Sequence, residues 1–92
     1  MPKITLFQNA NYGGKNLTLR QADSNLKQQG FNDITSSIIV CSGSWILYQD
    51  ANYEGTQWVV QENGGPNGDG LYPSYTYWDG KNDSISSLKP VS

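Results

Sequence analysis

Two short polar runs in this chain carry the residue types that could do chemistry. Asn32-Asp33-Ile34-Thr35-Ser36-Ser37 recurs as Asn82-Asp83-Ser84-Ile85-Ser86-Ser87, so that Asn-Asp-x-x-Ser-Ser appears twice. Each run offers a carboxylate, hydroxyls and main-chain carbonyls, all hard oxygen donors. Such donors suit calcium, which accepts about six to eight oxygens in flexible geometry, better than magnesium, which demands a tighter octahedron and keeps its waters. The chain has no His, which removes imidazole–zinc and imidazole–copper sites and any Ser–His or Cys–His nucleophile pair. The same residues are also ordinary loop formers, since Asn and Asp make Asx turns and Ser satisfies local N–H groups. One loop alone brings few ligands to one point, because Asp33 and Ser36 are close in sequence. Two loops related by pseudo-symmetry could each lend a group to the other's ion.

The elements that would hold these loops read as strands. Lys3-Ile4-Thr5-Leu6-Phe7, Asn16-Leu17-Thr18-Leu19-Arg20, Ser44-Trp45-Ile46-Leu47-Tyr48 and Gln57-Trp58-Val59-Val60 alternate or carry β-branched and aromatic residues. Leu17 and Leu19 are expected on a buried face, and residues 22–29 make at most one short helical turn. The halves superimpose. Phe7-x4-Tyr12-x-Gly14 matches Tyr48-x4-Tyr53-x-Gly55 at an offset of 41, as do Ile4/Trp45, Leu6/Leu47, Leu17/Trp58 and Leu19/Val60. At the Asn-Asp runs the offset has become 50, so the second half carries nine extra residues, expected within 63–80. The aromatic-x4-aromatic-x-Gly spacing lets the second ring fold back on the first, with a Gly where a Cβ would obstruct. About four strands per repeat would give two four-stranded antiparallel units packed as a sandwich.

Composition sets the limits. Ninety-two residues with three Trp, six Tyr and two Phe can bury a small core, and a net charge of −2 with scattered Lys and Arg argues against nucleic acid and anionic membrane. No apolar stretch approaches the roughly 18 residues of a membrane helix. Met1-Pro2-Lys3 lacks the apolar region of a signal peptide, which leaves either a chain that stays inside the cell or a domain cut from a longer secreted one. Cys41, the single cysteine, follows Ile38-Ile39-Val40 and is expected to be a buried apolar residue.

Two aromatic-x4-aromatic-x-Gly hairpins, each followed by Asn-Asp-x-x-Ser-Ser, resemble the paired Greek keys of the βγ-crystallin superfamily, in its single-domain, calcium-binding form. The resemblance implies an all-β fold in which two Greek-key motifs form one β-sandwich domain over residues 1–92, the first key about 3–42 and the second about 43–91. It also implies two Ca2+ ions. One site would use the Ile34 carbonyl, the Ser36 hydroxyl, the Asp83 carboxylate and an oxygen of Gln8. The other would use the Ser84 carbonyl, the Ser86 hydroxyl, the Asp33 carboxylate and an oxygen of Gln49, with waters completing both shells. By the same resemblance Ser37 and Ser87 are structural and tie each loop to its folded hairpin. Some relatives carry an acidic residue where this chain has Gln8 and Gln49. One carboxylate per ion then implies dissociation constants of about 10⁻⁶ to 10⁻³ M. A single occupied site would mean a failed loop, the second before the first, because its neighbouring segment is enlarged.

Calcium is expected to stabilise the fold. Asp50 and Glu54 near a hairpin give no specific acid–base pair, so the reading is not an enzyme but a binding protein, expected to be a monomer. Two alternatives stand beside it. One is a carbohydrate- or protein-binding module using Tyr72, Tyr75, Tyr77 and Trp78, against which Tyr77 and Trp78 are expected to fill or seal the core. The other is a purely structural, stable protein.

Overall fold

The computed structural model describes residues 2–32, 34–78 and 85–91. Among the described residues, alternating apolar residues and turn-forming Gly and Asn give seven strands: β1 (Lys3–Asn9), β2 (Gly13–Leu19), β3 (Ser37–Ser42), β4 (Ser44–Asp50), β5 (Glu54–Gln61), β6 (Leu71–Tyr72) and β7 (Ser87–Pro90). They form two antiparallel sheets, β2-β1-β3-β6 and β5-β4-β7. The expected all-β sandwich is therefore present. Short 3₁₀ turns at Leu26–Gln29 and Tyr75–Trp78 lead into the two polar loops, and among the described residues no helix is long and apolar enough to cross a membrane.

The period-2 pattern places Ile4 and Leu6 of β1, Ile38 and Val40 of β3, Trp45 and Leu47 of β4, Trp58 and Val60 of β5 and Leu88 of β7 in one core between the sheets. Leu26, Phe31 and Ile85 close its ends. Leu17 and Leu19 face this core but are only partly covered, because β2 is an edge strand. The same alternation corrects the expectation for Cys41. Ile38 and Val40 point inward, so Cys41 points outward and is exposed.

The two sheets are not the two halves. β6 belongs to the second half but pairs with β3, Ile38 opposite Tyr72 and Ile39 opposite Leu71. In return Asp23 of the first half bridges to Leu88 of β7, through N–H···O bonds of 2.9 and 3.1 Å in the two directions. Each half thus gives its third strand position to the other's sheet, where separate four-stranded units were expected. Asp23 and Tyr72 occupy equivalent rungs, so the offset between halves, 41 through β5, has already risen to 49 there. Eight of the nine extra residues consequently lie in residues 62–70. That segment is packed tightly against its surroundings. Gly70 adopts φ of +80°, and a Cβ there would stand 2.5 Å from the Val40 carbonyl and 2.9 Å from that of Glu62.

Candidate metal site

The site begins with two folded hairpin corners. After Phe7 the chain turns through Asn11 and Tyr12, whose φ values of 57° and 63° are left-handed, and after Tyr48 it repeats this at Asn52 and Tyr53 with 61° and 62°. Each turn brings the second ring edge-on to the first: Phe7 and Tyr12 lie 5.6 Å apart at 74°, Tyr48 and Tyr53 5.6 Å apart at 69°. Gly14 and Gly55 follow at φ of +74° and +81°. A left-handed conformation at Tyr is costly, and a buried serine holds each turn in it. Ser37 Oγ accepts the Tyr12 N–H at 2.9 Å and donates to the Asn9 carbonyl at 2.6 Å. Ser87 Oγ accepts the Tyr53 N–H at 3.0 Å and donates to the Asp50 carbonyl at 2.6 Å. The expected tethers are therefore present in both repeats.

These tethers bring the candidate ligands of each repeat together. One residue before each tether, the Ser36 N–H donates to the Phe7 carbonyl at 2.8 Å and the Ser86 N–H to the Tyr48 carbonyl at 2.9 Å. Ser36 is thereby held beside Gln8, and Ser86 beside Gln49. Both glutamines sit where the ladder breaks: the β1–β2 register shifts between Phe7 and Asn9, and the β4–β5 register between Tyr48 and Asp50. Such a bulge takes a residue out of regular pairing and re-aims its groups. Ser36 and Ser86 are buried, the two glutamines half-buried. The Ile34 side chain packs against the core, which leaves its main chain to line the loop. Asp33, Asp83 and Ser84 lie outside the described residues.

The described donors are hydroxyl, amide and carbonyl oxygens, and among the described residues no cluster of three His, Cys, Asp or Glu exists. Neutral hard oxygens suit calcium, and the charge would have to come from Asp33 and Asp83. Cys41, the chain's single thiol, is exposed on the outer face of β3. Thr35 was missed in the sequence. It is fully buried between Ile34 and Ser36, and its Oγ1 has no partner among the described residues. The signal was a mismatch within matched loops, since the equivalent position holds Ile85.

The aromatic residues of 63–80 divide. Tyr72 and Trp78 are buried and meet edge-on, their centroids 6.1 Å apart. Tyr77, expected with Trp78 in the core, is instead 51% exposed, because consecutive residues of a 3₁₀ turn face different ways. At the first corner, burial and then the nearby Asp69 carboxylate raise the Tyr12 phenol above its ordinary value.

Known proteins share this fold. The family model for Beta/Gamma crystallin matches residues 3–91. A beta/gamma-crystallin of Ciona intestinalis is 40% identical over 89 residues, which covers 97% of this chain and 98% of that protein. A solved beta gamma crystallin from Ciona intestinalis superposes with a TM-score of 0.87 at 39% identity, covering 97% of this chain and 99% of that one. A betagamma-crystallin from an archaeon gives 0.81 at 29% identity, with 98% of each chain covered. Gamma-crystallin N of Mus musculus is 33% identical over 97% of this chain, which spans about half of that protein, 45% of its length.

Proposed function

The chain belongs to the beta/gamma-crystallin family, and on that premise we propose that it binds two calcium ions between its paired polar loops. The observation that carries this reading is the duplicated bond of the Ser36 N–H to the Phe7 carbonyl and of the Ser86 N–H to the Tyr48 carbonyl, which sets each serine next to the strand irregularity at Gln8 or Gln49 and beside a serine tether. One ion takes the Ile34 carbonyl, the Ser36 hydroxyl, an oxygen of Gln8 and the Asp83 carboxylate. The other takes the Ser84 carbonyl, the Ser86 hydroxyl, an oxygen of Gln49 and the Asp33 carboxylate. Bound calcium would supply a dication, which oxygens of both polar runs would hold. The protein's part is to hold neutral oxygens at fixed spacing and to add one carboxylate to each ion. Its role is binding rather than catalysis, a reading supported by the family and by the absence of His.

A ligand held only by the folded state stabilises it by RT ln(1 + [L]/Kd), about 2.7 kcal/mol at a hundredfold excess over Kd. Calorimetric titration of the decalcified protein should therefore report two ions per chain, and its melting temperature should be higher in calcium than in chelator. Asp33→Ala combined with Asp83→Ala should remove that rise. A melting curve unchanged by millimolar calcium would sink the proposal.

A second reading, contact with a glycan or protein through residues 63–80, is favoured by the exposure of Tyr77. Glycan-array binding lost on Tyr77→Ala would support it, and no binding by the parent protein would end it.

A further inference from the structure

The two corners match in backbone but differ in what lies against their glycines. In the first, Asn9 Nδ2 and Gln8 Oε1 stand 2.8 and 2.9 Å from the point a Cβ would occupy on Gly14. In the second, Asp50 Oδ2 stands 2.7 Å from that point on Gly55, with Gln49 Cβ at 3.3 Å. The same spot thus holds an amide beside one candidate ligand and a carboxylate beside the other. The cross-strand partner of Asp50 is Glu54, whereas that of Asn9 is Gly13. A second difference is independent of charge. Gln8 Oε1 accepts the Lys15 N–H at 3.2 Å, a bond that competes with an ion for that oxygen. Among the described residues the Gln49 side chain makes no hydrogen bond.

We propose that the two sites fill in order, the one at Gln49 and Ser86 before the one at Gln8 and Ser36, with Asp50 as the residue that sets the difference. This rests on the calcium reading above. Each corner has a lysine nearby in the chain or in space: Lys15 follows Gly14, and the Lys89 ammonium lies 5.8 and 5.3 Å from the Tyr48 and Tyr53 ring centroids. Asp69, its Oδ1 accepting the Leu71 N–H at 3.2 Å, adds a carboxylate near Tyr12 that works against the ordering, whereas Asp50 stands against the same glycine as Gln49 and works for it. The local exchange of Asn9 for Asp50, rather than net charge, therefore carries the ordering. The enlarged segment does not reverse it. Residues 62–70 are bonded to the first sheet and the β3–β4 link, with Val40 N–H to the Gly70 carbonyl at 2.8 Å and Glu62 N–H to that of Gly43 at 3.0 Å.

A solvent-screened carboxylate near a dication strengthens binding by about threefold, and release of a competing hydrogen bond adds a similar factor. Calorimetry on the decalcified parent should resolve two steps about tenfold apart in low salt. Ser86→Ala should remove the tighter step and Ser36→Ala the weaker. Asp50→Asn should weaken the tighter step about threefold, and Asn9→Asp should strengthen the weaker step by a similar factor. These last two are near-isosteric exposed changes, so they carry the test even if a serine variant fails to fold. Loss of the tighter step in Ser36→Ala, two equal steps, or constants unmoved by Asp50→Asn would overturn the ordering while leaving calcium binding intact. Absence of any calcium heat in the parent would overturn both.

Discussion

Removing the Ser37 hydroxyl should open the first corner at a calculable cost. Its Oγ makes two hydrogen bonds, from the Tyr12 N–H at 2.9 Å and to the Asn9 carbonyl at 2.6 Å, and the residue is fully buried. Each bond is worth about 1 kcal/mol net, and a partner left dry costs more. Asn9 is exposed and Tyr12 half-buried, so water can rescue part of what the alanine leaves unpaired. Ser37→Ala should therefore destabilise the protein by about 2–3 kcal/mol. For a domain of this size that is a fall of roughly 10–20 °C in melting temperature. Urea unfolding in excess chelator, followed by circular dichroism, measures the loss without any contribution from an ion. Ser87→Ala makes the second test, because its bonds of 3.0 and 2.6 Å reproduce the first pair. The two costs should agree within about 0.5 kcal/mol. A loss below about 0.5 kcal/mol in both variants would show that the left-handed tyrosine turns hold without their tethers. A large loss in only one would refute the equivalence of the corners.

Other outcomes follow from single contacts. Gly70→Ala sets a Cβ against two backbone carbonyls at a φ of +80°, and should cost at least about 2 kcal/mol in the same urea assay. The Tyr12 phenol, raised first by burial and then by Asp69, should ionise after an ordinary tyrosine in an ultraviolet phenolate titration, and Asp69→Asn should lower it. Because the folded state holds this proton longer than the unfolded state does, the resulting stability is intact below about pH 10 and falls as pH rises through the folded value. Exposed Cys41 should react with a thiol reagent in native buffer without unfolding, and Cys41→Ser should shift stability by less than about 0.5 kcal/mol.

The corners were legible because their causes are local and occur twice. The spacing from Phe7 to Tyr12 to Gly14, repeated from Tyr48 to Tyr53 to Gly55, encodes ring against ring and a glycine at positive φ, whereas the family resemblance, not the spacing, pointed to Ser37 and Ser87 as the tethers. The crossing of the third strands was not legible. Alternation reports which face a residue takes but not which sheet its strand joins. Leu71–Tyr72 is only two residues long and Asp23 a single rung, too short for any period. Cys41 was misread because Ile38-Ile39-Val40 looks like a continuous apolar run. In the strand only Ile38 and Val40 face fully inward, and counting by two from Val40 would have sent Cys41 outward. Of the site, the doubled hairpin accounts for the Ser36 and Ser86 N–H groups resting on the carbonyls just before Gln8 and Gln49. The proposed exchange of Asp33 and Asp83 between the sites rests on the family resemblance, since no spacing within either loop contains it.

The exchange of third strands also governs how the chain reaches its native state. Sheet closure waits for partners far apart in sequence: Tyr72 must find Ile38, and Leu88 must find Asp23. Neither half can finish its hydrogen-bonded ladder from its own residues, so an isolated half would expose a strand edge together with one wall of the core. Distant pairing of this kind raises contact order and slows the search, though the entropy of closing a longer loop grows only logarithmically. The two halves should therefore gain and lose structure as one cooperative unit, with no state in which one is folded and the other is not. Breaking either exchange, at Asp23 or at Tyr72, would loosen both sheets at once.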